Sequence, residues 1–269
     1  MNYISPVRIT ICIIFFLFSC TATAQVLNMD RASAPNDSSK KWHTSLQAAT
    51  DYNSEKEVFD WDTRIDVTRF TAGHHLLSSK FSNSFTNTNG SNLQNAGYLH
   101  IRFRDNDSRK ISPEYFTQYQ WDDLRGMLNR YLLGCNMRIM LKENKKFDFY
   151  MGIGLMYEWE KWNFDGVAAD KLPLVHPDFI KTDQVKLNQY FKLSAQLFTS
   201  TEITVTNFIQ APLDKGINHP RLANFLQWNI PLSKKVGLNL NFESLYDAAP
   251  VVPIKNFYFN YQTGFSVAL

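Results

Sequence analysis

His43 and Ser45, in the segment Trp42-His43-Thr44-Ser45, are the pair whose spacing best suits chemistry. On an extended strand alternate side chains share a face, so the imidazole can face the hydroxyl and accept its proton. An acyl-transfer pair of this kind also needs an acid to orient the histidine, and none lies close by in the chain. His74-His75 sits in a turn-like segment, and neighbouring side chains on a strand point apart, so further ligands at matched spacing would be needed for a metal; none is evident. His176 and His219 fall in long connections where solvated histidines are ordinary. The chain has no G-x-S-x-G, H-E-x-x-H, phosphate-binding loop or C-x-x-C motif. Cys135 reads as a small apolar residue. Asp60, Asp62, Arg64 and Asp66 share one strand face, where they either favour cations or compensate one another; compensation is the simpler reading. Catalytic, cofactor-binding and metal residues are therefore expected to be absent.

The elements that would position these residues begin after a leader. Arg8 precedes the apolar run Ile9 to Cys20, and small residues at Ala22 and Ala24 follow, which reads as a secretory signal over 1–24 cleaved before Gln25. Leu17-Phe18-Ser19-Cys20 offers lipoprotein processing at Cys20 as a minor alternative. Residues 25–41 are polar and form an expected flexible lead-in. The 269 residues are 44% hydrophobic and 14% aromatic, too apolar for a disordered chain, while a net charge of +3 without basic runs gives no reason to expect nucleic acid. No run approaches the 18 or so apolar residues of a transmembrane helix.

From 42 to 269 the pattern is two-faced. Phe257, Phe259, Tyr261, Thr263, Phe265, Val267 and Leu269 share one parity; Tyr258, Asn260, Gln262, Gly264, Ser266 and Ala268 share the other. The same alternation predicts twelve strands, near 42–52, 59–67, 77–85, 97–103, 115–121, 131–141, 147–159, 185–199, 203–209, 222–232, 236–246 and 257–269, with ten as the alternative count. No Asp, Glu, Lys or Arg falls on the apolar faces. The opposite faces carry Asp51, Asp60, Asp62, Arg64, Asp66, Lys80, Arg102, Arg138, Asp148, Glu158, Lys186, Lys192 and Glu243.

Alternation alone does not say which face points inward. Three features turn the apolar face toward lipid. The polar face is rich in Gly, Ser, Asn and Gln, as a crowded lumen would be. Trp42, Tyr52, Trp61, Tyr115, Trp121, Tyr131, Trp159 and Tyr246 lie near strand ends on the apolar face, where amphipathic rings suit the headgroup level. An aromatic-rich strand ends the chain and can close a cylinder. The expected fold class is all-β, a transmembrane antiparallel up-and-down β-barrel over 42–269. Connections alternate accordingly: 142–146, 200–202 and 233–235 are short, and 160–184, 210–221 and 247–256 are long. The long connection 104–114 breaks the rule.

The block from Asn95 to Trp162 resembles the salt-induced outer-membrane protein family, a group of small barrels of unknown function. The matching features are Arg102, the stretch Glu114 to Gln120 ahead of Trp121-Asp122-Asp123, Arg130 with Leu132-Leu133-Gly134, and Gly152/Gly154 running into Tyr157-Glu158. The strands from Leu222 to Leu269 are similar as well, whereas Cys135 and Asn136 stand where members often carry Gly or Ala. The resemblance implies a barrel in the bacterial outer membrane, with no reaction, cofactor or catalytic residue to carry over.

Two function classes follow. The first is a non-enzymatic outer-membrane barrel, a narrow pore or a structural part of the envelope, with a lumen polar network of Arg130, Glu158, Arg138, Asp148 and Arg102. The second is a barrel hydrolase of lipid or lipopolysaccharide using His43 and Ser45. Expected partners are outer-membrane lipid, lipopolysaccharide and, through the C-terminal strand, the barrel assembly machinery. The turn 142–146 predicts Leu141 opposite Phe147, hence Arg130 opposite Glu158, Gly134 opposite Gly154 and Asn136 opposite Gly152. In that arrangement the glycines leave room beside the ion pair for an inward side chain from elsewhere.

Overall fold

A computed structural model describes residues 41–54, 57–71, 75–88, 91–105, 110–144, 146–197, 201–214, 218–233 and 236–267. The expected leader, Cys20, nearly all of the lead-in and His74 lie outside the described residues. Twelve strands form one antiparallel sheet in chain order: β1 (Trp42–Asn53), β2 (Val58–Phe70), β3 (Leu76–Thr88), β4 (Ser91–Arg104), β5 (Ile111–Asp122), β6 (Met127–Asn144), β7 (Phe147–Trp162), β8 (Ile180–Leu197), β9 (Thr201–Pro212), β10 (Arg221–Pro231), β11 (Val236–Asp247) and β12 (Phe257–Val267). The sheet curls into an up-and-down β-barrel, bringing side chains of distant strands together across its interior: Tyr190 of β8 donates to Glu114 of β5 at 2.6 Å. Twelve strands, not ten, is the count.

The apolar faces point outward. Leu133 is 65% exposed while its neighbours Leu132 and Arg130 are each 5% exposed. The charges point inward, which inverts the arrangement of a soluble barrel and is the pattern of a membrane-spanning one. Rings mark both ends of the outer band. At the end carrying the long connections, Tyr131 packs on Tyr119 at 4.8 Å and on Trp159 at 5.5 Å. At the other end Phe103 stacks on Tyr115, and Arg69 lies over Trp42 at 4.9 Å. Outward charges appear at strand ends, including Arg69, Lys142, Lys161 and Lys181.

Two sequence expectations are corrected. The β6–β7 register is shifted by two residues, so Arg130 stands opposite Glu160, Gly134 opposite Met156, Asn136 opposite Gly154 and Arg138 opposite Gly152. Strand pairing continues to Asn144 and Phe147, which shortens the turn, and a bulge between Met140 and Lys142 absorbs the odd residue. The troublesome connection 104–114 shrinks to 105–110, because β4 and β5 both run further than their apolar alternation does. The three longest connections, 163–179, 213–220 and 248–256, share one end of the barrel, which also carries the short connections 54–57, 89–90 and 123–126.

Four connections knit together at the long-connection end. A 3-10 turn, Asp123–Arg125, is held by the Asp122 carboxylate accepting from the Arg125 amide at 3.3 Å. It closes on Gly126 at φ 79°, a left-handed conformation where a Cβ would also strike Asn163. The Asn163 amide donates to the Gly126 carbonyl at 2.8 Å, and that of Ala248 to Pro220 at 3.1 Å. The connection 248–256 then reaches across the mouth. Its Val252 and Ile254 bury themselves against Met127, Trp162 and Phe164, which belong to the β6–β7 side. Because β11–β12 and β6–β7 stand far apart in strand order, this segment is a strap spanning the opening. Arg125 beneath it lies 4.4 Å from the Tyr258 ring and 5.7 Å from that of Trp162.

Candidate functional site

Below the strap the lumen holds a layer of charges supplied by β6, β7, β8, β10 and β11. Glu158 is its hub. It accepts from Arg130 Nε at 2.8 Å and Arg221 Nη1 at 2.9 Å, and it also binds the Lys186 ammonium. Glu160 takes second contacts from Arg130 at 3.1 Å and Arg221 at 3.2 Å, and accepts from the Trp162 indole at 3.2 Å. Asp247 receives Arg221 through Nε at 2.9 Å and Nη2 at 2.8 Å. Three cations thus meet three carboxylates, all nearly withdrawn from water. Charges buried this deeply persist only when paired and hydrogen-bonded, and removing one partner strands the rest.

An amide relay continues from this layer into β4 and β5. Arg130 Nη1 donates to Gln120 at 3.3 Å, Gln118 donates to Gln120 at 2.9 Å, and the His100 ring meets Gln118 at 3.0 Å. On the next level Glu114 accepts from Arg104 Nε at 3.1 Å as well as from Tyr190. Between them lies a cavity of about 60 Å³ with Arg102, Asn136, Asn188, Tyr190 and Phe208 in its wall, enough for a few waters. Glycines make this packing possible. A Cβ on Gly134 would strike the Phe116 ring, and one on Gly152 would strike that of Tyr190. Each ring sits on the glycine directly opposite it in the neighbouring strand, filling the space the missing side chain leaves.

Of the five residues expected to form the lumen network, Arg130 and Glu158 meet, though diagonally rather than in directly opposed positions. Arg102 lines the cavity instead. Arg138 stacks over Tyr150 at 3.7 Å, nearer the short-turn end. Asp148 lies by the β6–β7 turn, opposite Ser194, outside the layer. Sequence reasoning missed Glu160, Arg221 and Asp247 because each stands one residue beyond a strand boundary drawn at the last clear apolar alternation. The signal was present in parity: each continues the polar face of its strand.

The other side of the lumen is different. Inner side chains of β1–β3 are mostly short and hydroxyl- or carboxylate-bearing, with Arg64 and the buried Lys80, 4.0 Å from Asp66, as the long cations among them; Ser45, Asp51 and Asp62 are exposed. Ser84 donates to Asp62 at 2.5 Å and Thr86 to Asp60 at 2.6 Å. Nothing lies within 4 Å of the Cβ position of Gly264 on β12. Here the catalytic reading of His43 and Ser45 meets its test. Contrary to expectation, an acid is nearby: Ser45 Oγ donates to Asp66 at 3.3 Å. The His43 ring packs edge-on against Phe70 at 5.7 Å, and among the described residues no bond joins it to Ser45. The acid holds the serine and not the histidine, so the geometry of an acyl-transfer triad is not assembled. Of the remaining histidines, His75 pairs with Asp105 at 2.6 Å, and the His176 ring lies 4.3 Å from that of Phe164. Among the described residues no group of three or more His, Cys, Asp or Glu is arranged to hold a metal. Cys135 is exposed on the outer face.

No family model matches the chain, and no curated protein is found to be similar. Among solved structures, one described as a NanC porin in a rhombohedral crystal form aligns with 84% of this chain and 100% of its own, with a TM-score of 0.45 and 11% identity.

Proposed function

We propose that this chain is a non-enzymatic β-barrel of the bacterial outer membrane, acting as a narrow pore. One observation carries the reading: the outer band is apolar and ringed by aromatics at both ends, while paired charges fill the interior. Such a surface is soluble in lipid and not in water. The aqueous path follows the open side, along β1–β3 and β12, because the buried network obstructs the lumen beside β5–β8 and β10. The strap narrows one mouth. Membership of the salt-induced outer-membrane protein family, export by the 1–24 leader and insertion through the C-terminal strand belong to the same proposal. The long connections would then lie outside the cell and the short turns in the periplasm.

Fractionation and bilayer recording test it. The protein should sediment with outer membranes, require detergent for extraction and migrate anomalously on gels unless boiled. Reconstituted in planar bilayers it should give small, discrete conductance steps. Recovery as a monomer in buffer without detergent would refute the membrane reading, and a silent bilayer with correctly folded protein would refute the pore.

A further inference from the structure

On the outer surface, at the long-connection end, two lysines face each other with no acid between them. Lys161 of β7 and Lys181 of β8 are directly opposed partners. Like charges so placed repel, with Cβ atoms about 5 Å apart. Neither forms an ion pair among the described residues. Both instead hold their ammonium groups against one ring, that of Phe179, at 4.3 Å and 5.3 Å. That ring is itself 43% exposed. An outward acid, Asp183, stands opposite Trp159 one outward position below the pair, and the exposed Asp178 adjoins Phe179; among the described residues neither forms an ion pair with either lysine.

Height decides what the pair can meet. Trp159 belongs to the aromatic row with Tyr131 and Tyr119 that marks the upper limit of the outer apolar band. Lys161 is two residues further along the same strand, about 6–7 Å at an ordinary strand rise. That is the level just beyond the interfacial rings, where lipid phosphates lie. Resting on the membrane reading proposed above, the geometry points to Lys161, Lys181 and the Phe179 face as a clamp for the phosphate of an outer-leaflet lipid headgroup. The phosphate oxygens take both ammonium groups as charge-assisted donors and relieve their repulsion, and the exposed ring packs against the apolar body of the lipid.

The test uses full-length protein purified in non-ionic detergent, titrated with diphosphorylated lipid A and, separately, with fully dephosphorylated lipid A, with binding counted by native mass spectrometry. The wild type should retain the phosphorylated lipid preferentially. The double substitution Lys161→Gln/Lys181→Gln should weaken that retention roughly tenfold to thirtyfold, since each lysine near an anionic surface contributes a factor of about five. Lys161→Arg/Lys181→Arg should preserve it, and Lys255→Gln, an exposed lysine in the strap, should leave it unchanged. Equal retention of the two lipids by wild type, or equal loss in the Lys255 control, overturns the clamp. Heat-modifiable migration, read on each sample, separates the failures. A folded barrel without lipid preference refutes the clamp alone, and a protein that never enters micelles refutes the membrane reading and the clamp together.

Discussion

The lumen has two walls built on different rules. Along β4–β8 and β10, inner positions carry long side chains, Arg130, Glu158, Lys186, Tyr190 and Arg221 among them, and glycines at 134 and 152 admit rings from neighbouring strands. Along β1–β3 and β12 most inner positions are Ser, Thr, Ala, Asp, Asn or Gly, with Arg64, Lys80 and Tyr258 as long exceptions, and nothing lies within 4 Å of the Cβ position of Gly264. Both walls are polar by composition, so hydropathy does not separate them. Side-chain length and the placing of glycine do. Where long charged groups reach partners across the bore they withdraw from water; on the other wall Ser45, Asp51 and Asp62 stay exposed, while Thr68, Ser78 and Lys80 near the short-turn end are buried.

The sharpest way to break the contrast is to remove the hub. Glu158→Ala leaves Arg130, Lys186 and Arg221 facing one another and should cost about 3–5 kcal/mol, read as a lower denaturation midpoint in detergent or vesicles. A double-mutant cycle with Arg130→Ala should show clear coupling, because the two groups touch within a buried network; coupling within error of zero would mean that the packed wall is wet. Next comes the outer face common to both walls. Leu133→Arg should cost about 2–4 kcal/mol, the figure for a cation near mid-bilayer, whereas Lys142→Arg, at a strand end, should be close to neutral by the same measurement. Gly152→Ala should cost about 1–3 kcal/mol, because the new Cβ lands on the Tyr190 ring and forces it off its seat. Gly134→Ser, facing the lumen, should not be benign either, since Phe116 occupies that place.

The smallest stability effect belongs to the open wall. Asp62→Asn should change unfolding by no more than about 0.5 kcal/mol, yet shift the reversal potential in a salt gradient, because that exposed carboxylate borders the proposed aqueous path. No electrical change would place the conducting path elsewhere. A last variant concerns the mouth shared by both walls. Val252→Asp puts a charge into the cluster of Trp162 and Phe164 and should raise single-channel conductance by loosening the strap, while leaving the barrel able to insert.

Most of the fold was legible because outward positions away from the strand ends are uncharged and largely apolar, as the proposed lipid surroundings require. All twelve strands could be read from alternation, and Leu133, Tyr131 and Trp159 lie on the face assigned to them. The register of β6 on β7 was not legible. Pairing runs on through the polar residues Lys142, Glu143 and Asn144, where no apolar alternation marks it, and the bulge at Leu141 takes back one of those three positions. The site was legible in part. Arg130 and Glu158 were found through a register that was wrong, since a side chain as long as arginine reaches a diagonal partner as readily as an opposed one. Arg221 and Asp247 lay past the last outward apolar residue of their strands, where the apolar pattern stops and the sequence reads as loop. The strap was invisible for a similar reason: Val251, Val252 and Ile254 follow no strand or helix period, and their partners Met127, Trp162 and Phe164 are nearly ninety residues away or more in the chain.

The strap also imposes an order of events on assembly. Its anchors lie on the β6–β7 hairpin, whose pairing is local, whereas Val252 and Ile254 sit between β11 and β12 and meet them only when the sheet has curled round. Contacts this distant in sequence carry a large closure entropy and form late. Until then Trp162 and Met127 lack their cover, and the strap closes over them once the cylinder has formed. A contact made after the rate-limiting step slows escape more than it hastens arrival. The roof is therefore a latch on the finished barrel, setting how long it stays shut once built and contributing little to how fast it is built.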